Sequence, residues 1–127
     1  MALPVPEPEP EVAPTRDHEE TLYLKRTLRS GQKAMYPGHI VVMGDVNPGA
    51  ELEAEGDIII LGQLRGKAHA GCTGNQQAQI WALGMHATQL RICDCVWTGE
   101  KRRGKAPASQ KAFLRGGEIV FEPMPIR

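Results

Sequence analysis

The side chains able to do chemistry in this chain are few: four histidines, three cysteines and carboxylates scattered over 127 residues. An imidazole base needs a nucleophile or a carboxylate held beside it. No Ser–His or carboxylate–His spacing recurs around His39, His69 or His86. Zinc ligands pair at separations of roughly two to four residues. Cys93 and Cys95 are separated by one residue, and no second pair exists. We therefore expect no metal and no cofactor. The glycines do not make a Walker-type phosphate loop. An odd number of cysteines fits a reducing cytoplasm better than a disulfide framework. A basic run, Lys101-Arg102-Arg103-Gly104-Lys105, has the composition to touch an anionic membrane surface or nucleic acid. The net charge is zero, so no global field draws a polyanion, and the run reads as a solvated loop.

What positions these residues is a repeat. Residues 38–73 read GHIVVM GDVNPG AELEAE GDIIIL GQLRGK AHAGCT. The first residue of each hexad is small: Gly38, Gly44, Ala50, Gly56, Gly62, Ala68. The third is apolar: Ile40, Val46, Leu52, Ile58, Leu64, Ala70. Residue i resembles residue i+18, so three hexads make one turn. Hexads also begin at Glu20, Arg26 and Gln32 upstream. Downstream the phase slips by four residues at GNQQ (74–77) and resumes at Ala78, Gly84 and Leu90. Three short extended pieces cannot bury an apolar side alone, but stacked copies can. The spacing predicts an all-β fold: a triangular parallel β-helix of about four 18-residue coils, 20–37, 38–55, 56–73 and 78–95. Small hexad starts suit corners, and third residues point inward, His86 among them. An inward histidine reads as a satisfied core residue. In the same frame Cys93 faces out.

The three sides differ on the outside. Positions four and six of a hexad face out. On the first side they hold Tyr23, Val41, Ile59 and Trp81, then Lys25, Met43, Leu61 and Leu83. A sheet apolar on both faces implies cover on both faces. We infer a homodimer, sheet against sheet, through Tyr23, Val41, Met43, Ile59, Leu61, Trp81 and Leu83. The competing expectation is that the C-terminal segment folds over this face. The second side is polar: Arg29, Asp45, Asn47, Arg65, Lys67. So is the third: Lys33, Glu51, Glu53, His69, Arg91.

The flanks complete the organisation. Residues 1–19 are rich in Pro and Glu and read as a disordered, acidic linker. Residues 1–20 carry a net charge of −5 and the remainder +5. Residues 20–95 form the β-helix domain, and 96–127 supply the basic loop and a C-terminal cap with a turn at Gly116-Gly117. An open solenoid end exposes ladder groups and core, so it needs such a cap. No apolar run approaches a membrane span, and the start is not a signal peptide. Two functions remain. One is a hexapeptide-repeat enzyme of the acyltransferase or carbonic anhydrase type. Its histidine set is missing, since His39 and His86 fall on different sides. The other is a non-catalytic dimer that presents a polar face to a partner protein.

The stretch Arg29-Ser30-Gly31-Gln32, then GDVNPGAELEAEGDIIILGQLRGKAHAG (44–71), GN (74–75), AQIWA (78–82) and QLRI (89–92), resembles the C-terminal domain of the bacterial septum-site-determining MinC family. The likeness runs over about residues 21–95, and EIVFEP (118–123) continues it. The resemblance implies a right-handed β-helix that dimerises and binds the membrane-associated ATPase MinD. It implies MinD contacts at Arg29, Ser30, Gly31 and Gln32, with Arg65 and Gly66 added by their position on the same side. An arginine fork suits carboxylates on a partner. The family's role would follow: a cytoplasmic protein, recruited by MinD to the inner face of the plasma membrane, that helps block FtsZ ring assembly away from midcell. The family's N-terminal domain, which carries the main FtsZ-inhibiting activity, is not matched in this sequence.

Overall fold

The structure is a computed structural model that describes residues 20–99 and 110–124. The expected linker, 1–19, and the basic loop, 101–105, lie outside the described residues. Among the described residues eleven strands form two sheets. The first contains β1 (Thr21–Leu24), β3 (His39–Val42), β5 (Ile58–Leu64), β7 (Ile80–Met85), β10 (Gln110–Arg115) and β11 (Glu118–Pro123), in that order. The second contains β2 (Lys33–Tyr36), β4 (Glu51–Ala54), β6 (Lys67–Ala70), β8 (Gln89–Ile92) and β9 (Cys95–Thr98). β1, β3, β5 and β7 pair in parallel, as do β2, β4, β6 and β8. Between the two sheets in chain order lies the second wall, a line of parallel bridges, Leu28 to Val46 and Val46 to Leu64, continued by Leu64 opposite Met85. The result is a three-walled parallel β-helix of about four coils.

Side chains of equal position stack into the core. Leu22, Ile40, Ile58 and Ile80 lie in register, and Ile40, Ile58 and Ile80 are fully buried. Each such burial contributes about 2 kcal/mol. The second wall contributes Leu28, Val46, Leu64 and Met85, all buried. Here the structure corrects the spacing. The ladder between β5 and β7 shifts register between Ile60 and Gln63, so Met85, not His86, takes the inward position, and His86 is exposed. An apolar thioether costs nothing to bury, whereas an imidazole must bring a hydrogen-bond partner with it. A second slip falls on the corner before β6. Leu52 pairs with Ala68, sixteen residues on, so Ala68 is an inward rung rather than a corner. The same slip moves Lys67 from the second side onto β6 of the second sheet. Cys93 is also not outward. It is buried, in a turn, with φ of 55°.

Corners are held by polar side chains that reach the backbone of the next coil. The Asp45 amide donates to Thr27 Oγ1 at 3.3 Å, and the Gln63 amide donates to Asp45 Oδ1 at 2.7 Å. At another corner the Asp57 amide donates to His39 Nδ1 at 2.8 Å, and the Gln79 amide donates to Asp57 Oδ1 at 2.8 Å. Turn amides that no strand could satisfy are satisfied this way. At the far end, β10 pairs antiparallel with β7, and β11 with β10. Phe121 on β11 meets Trp97 on β9 edge to face at 4.9 Å. Ile119 and Phe121 pack on the core, so the hairpin closes that end of the stack. Among the described residues the C-terminal hairpin extends the first sheet at its edge; it does not fold across the outer face. Replacing Asp57 with Ala strands the Gln79 amide and should cost about 1–3 kcal/mol in urea unfolding.

Candidate partner-binding site

The second wall carries a column of corner residues. The Asn47 amide donates to the Leu28 carbonyl at 2.9 Å, Arg65 to Val46 at 2.8 Å and His86 to Leu64 at 2.9 Å. The same bond on successive coils puts Arg29, Asn47, Arg65 and His86 at equivalent positions. Arg29, Arg65 and His86 are exposed.

Arg29 to Gln32 is a tight corner at the first coil. The Gln32 amide donates to the Arg29 carbonyl at 3.0 Å, and the Arg29 amide donates to Gln32 Oε1 at 2.7 Å. The Gln32 side chain thus closes its own turn. Gly31 has φ of 88°, a conformation that favours glycine, and its amide donates to the Gly49 carbonyl at 3.0 Å. All four residues are exposed. Gly66 differs. It is buried, and a Cβ there would run into the carbonyl oxygens of Ala50 and Asn47. It lets the third corner stack closely on the second.

The two polar walls differ in electrostatics. On the second sheet, Lys33 lies 4.0 Å from Glu51 and 3.8 Å from Glu53, and Lys67 lies 3.9 Å from Glu51. His69 donates from Nε2 to the Cys93 carbonyl at 3.1 Å, with Nδ1 3.9 Å from Glu53. These residues line a shallow depression of about 150 Å³. Lys33 and Lys67 are matched to Glu51 and Glu53 across strands, which stabilises the sheet, while Arg91 on β8 makes no ion pair among the described residues. Arg29 and Arg65 make no ion pair among the described residues. Asp45, on the same wall, spends an oxygen on the Gln63 amide. Among the described residues the second wall therefore offers guanidinium groups that make no ion pair.

Among the described residues His39, His69 and Cys95 are engaged in structural bonds. His39 Nδ1 accepts the Asp57 amide, so its ring proton sits on Nε2, and its role is a corner bond. Cys95 Sγ donates to the Gly117 carbonyl at 3.1 Å. Burial, with Glu53 and Glu55 nearby, pushes the Cys72 thiol up, which disfavours the thiolate. Among the described residues no group of three or more His, Cys, Asp or Glu side chains could hold a metal ion. No helix among them is long and apolar enough to cross a membrane.

The outer face of the first sheet is apolar. Tyr23, Val41, Ile59 and Trp81 align in one row. Tyr23, Met43, Leu61 and Leu83 are exposed. The hairpin extends this face. Phe113 and Val120 are paired residues that project on the same side, and Lys111 Nζ lies 5.7 Å from the Trp81 ring and 3.7 Å from Glu122. The sequence reading missed Phe113, Val120 and Lys111 because the strand 110–115 lay beyond the repeat. Alternation in KAFLR was the available sign.

The family model described as "Septum formation inhibitor MinC, C-terminal domain" matches residues 22–124. The chain belongs to the MinC family. It is 46% identical over 115 residues to a probable septum site-determining protein MinC of Gloeobacter violaceus, covering 90% of the chain and 41% of that relative. It is 45% identical over 112 residues to the corresponding Symbiobacterium thermophilum protein, covering 87% of the chain and 48% of that relative. The chain thus spans less than half the length of these MinC relatives. A solved structure titled as the MinC:MinD cell division protein complex of Aquifex aeolicus superposes with a TM-score of 0.79 at 37% identity. It covers 86% of this chain and 90% of that one. In this MinC domain the RSGQ corner and Arg65 come together on one wall, and the apolar candidates come together on another. Gly66→Ala should cost about 1–3 kcal/mol through backbone displacement. Gly31→Ala, with open space around it, should cost only about 1 kcal/mol through its backbone conformation. Thermal unfolding of the two variants checks the difference.

Proposed function

We propose that this chain is the partner-binding and dimerising domain of a division-site regulator. It binds the ATPase MinD through the second wall and pairs with a second copy through the first sheet. The observation that carries this is the exposed corner Arg29–Gln32, with Arg29 and Arg65 in no ion pair among the described residues. The chain's structural similarity to a protein solved as a MinC:MinD complex supports the choice of partner. Arg29, Ser30, Gly31, Gln32 and Arg65 make the contact, and buried Gly66 shapes it from below. MinD, itself membrane-associated, brings the domain from the cytoplasm to the inner face of the plasma membrane. There it helps block FtsZ assembly away from midcell. The domain works by binding, without catalysis, metal or cofactor, and touches the membrane only through MinD.

Dimerisation places two such walls on one particle. Tyr23, Val41, Met43, Ile59, Leu61, Trp81 and Leu83 lie on one outer face, where Tyr23, Met43, Leu61 and Leu83 are exposed, and an exposed apolar face of this kind marks an interaction surface. Two copies of that face are self-complementary about a two-fold axis.

Two variants separate these claims. Arg29→Ala should lower recruitment to MinD-coated vesicles in ATP by about tenfold or more while the chain stays dimeric. Undiminished co-sedimentation would remove the RSGQ corner from the site. Ile59→Asp puts two carboxylates against each other across the seam, at a cost of several kcal/mol. Light scattering should then report a monomer, and an unchanged mass would reject the sheet-on-sheet dimer.

A further inference from the structure

We propose that the free edge of β1 receives an extended acidic peptide as an added strand of the first sheet. This site lies apart from the RSGQ corner and goes beyond the MinD reading. Three observations carry it.

The first is an open edge. The first sheet begins at β1, and among the described residues no strand pairs with its outer side. The His39 amide donates to the Glu20 carbonyl at 3.0 Å, and the Met43 amide donates to the Leu24 carbonyl at 2.7 Å. Alternate residues of a strand turn their backbone groups to opposite neighbours, so Thr21 and Tyr23 aim N–H and C=O at the open side. At the other end of the stack the same sheet is closed by β10 and β11. Unpaired groups along an edge are a template for one more strand.

The second is an unfinished core. Ile40 and Val42 on β3 are fully buried. Leu22 and Leu24 lie in register with them on β1 and pack on the same core, yet they are only partly buried. An added strand with apolar residues at alternate positions continues both ladders and removes that surface from water. The incoming peptide must therefore alternate, apolar on the side of the core.

The third is charge. Residues 20–37 hold Lys25, Arg26, Arg29 and Lys33 against one carboxylate, Glu20. Glu20 Oε2 accepts the Tyr36 hydroxyl at 2.9 Å. Lys25 and Arg26 directly follow β1, are exposed, and make no ion pair among the described residues. β2 opens the second sheet at the same end, but its Lys33 is paired with Glu51 and Glu53. Cations beside an edge repel a second copy, which brings the same cations, and favour carboxylates on the incoming strand. The occupant is a strand whose outward, alternate residues are acidic.

The test uses two labelled, capped synthetic peptides about six residues long, one alternating valine with glutamate and one alternating valine with lysine. Fluorescence anisotropy reads their affinity for the full chain, and amide exchange reads the place. The glutamate peptide should bind about tenfold more tightly than the lysine peptide and should protect Thr21 and Tyr23. Lys25→Glu combined with Arg26→Glu should reverse that order at an unchanged melting temperature. Thr21→Pro removes one edge N–H at the first residue of the strand and should weaken the glutamate peptide about tenfold. Its recruitment to MinD-coated vesicles should match the parent, which keeps this site distinct from the MinD contact. Equal affinity for the two peptides, binding of neither, or protection at 29–32 in place of β1 overturns the inference. So does protection of Thr21 and Tyr23 without peptide, because another part of the chain or a second copy then fills the edge.

Discussion

The structure depends on parallel stacking of coils that are unstable singly. One coil of about eighteen residues offers a few apolar side chains and no partner for its own backbone groups. A second coil supplies both at once: hydrogen bonds along the stack and a ladder of like side chains inside it. Register is therefore the variable to which everything else is tied. Leu22, Ile40, Ile58 and Ile80 must lie over one another for the wall to be dry. A slip of one residue exchanges inside for outside.

Stacking also explains how the chain displays function. Each corner is repeated at one rung spacing, so residues far apart in sequence become neighbours in a column. Corners need small residues where backbones approach and polar side chains where turn amides need acceptors. Asp45, Asp57 and His39 supply the acceptors. What remains outward is spent differently on each wall. The second sheet pairs Lys33 and Lys67 with Glu51 and Glu53. The first sheet stays apolar to the edge of the hairpin. On the second wall Arg29 and Arg65 make no ion pair among the described residues. On the proposed reading, dimerisation and partner binding are separable, since no residue proposed for one contact is proposed for the other.

Much of this was legible in the sequence, for physical reasons. The eighteen-residue period, the inward ladders and the doubly apolar first sheet follow from alternation, which a strand cannot disguise. The RSGQ corner was legible through resemblance and not through spacing, which marks it only as a turn. The two register slips were not legible. Gly84 is small and fits a corner in either frame, so counting placed His86 inside. Comparing the burial costs of Met85 and His86 would have chosen the thioether. The shortened corner at Arg65–Lys67 is silent in the sequence because Ala68 and Ala70 are the same residue type. An even shift of two preserves which residues face out, and so His69 and Arg91 stayed on the expected face while Lys67 moved to a different wall. The polar second positions of the hexads, His39, Asp45, Asp57, Gln63 and Gln79, carried the corner bonds in plain view. Periodicity of apolar residues drew attention away from them.

The central claim is that a partner lies along the second wall. Amide hydrogen exchange of the chain, with and without ATP-bound MinD, tests it most directly. The account predicts added protection at 29–32, 47–50 and 65–66, with exchange on β4, β6 and β8 unchanged. Protection concentrated on the second sheet, or on the apolar face of the first, would contradict it.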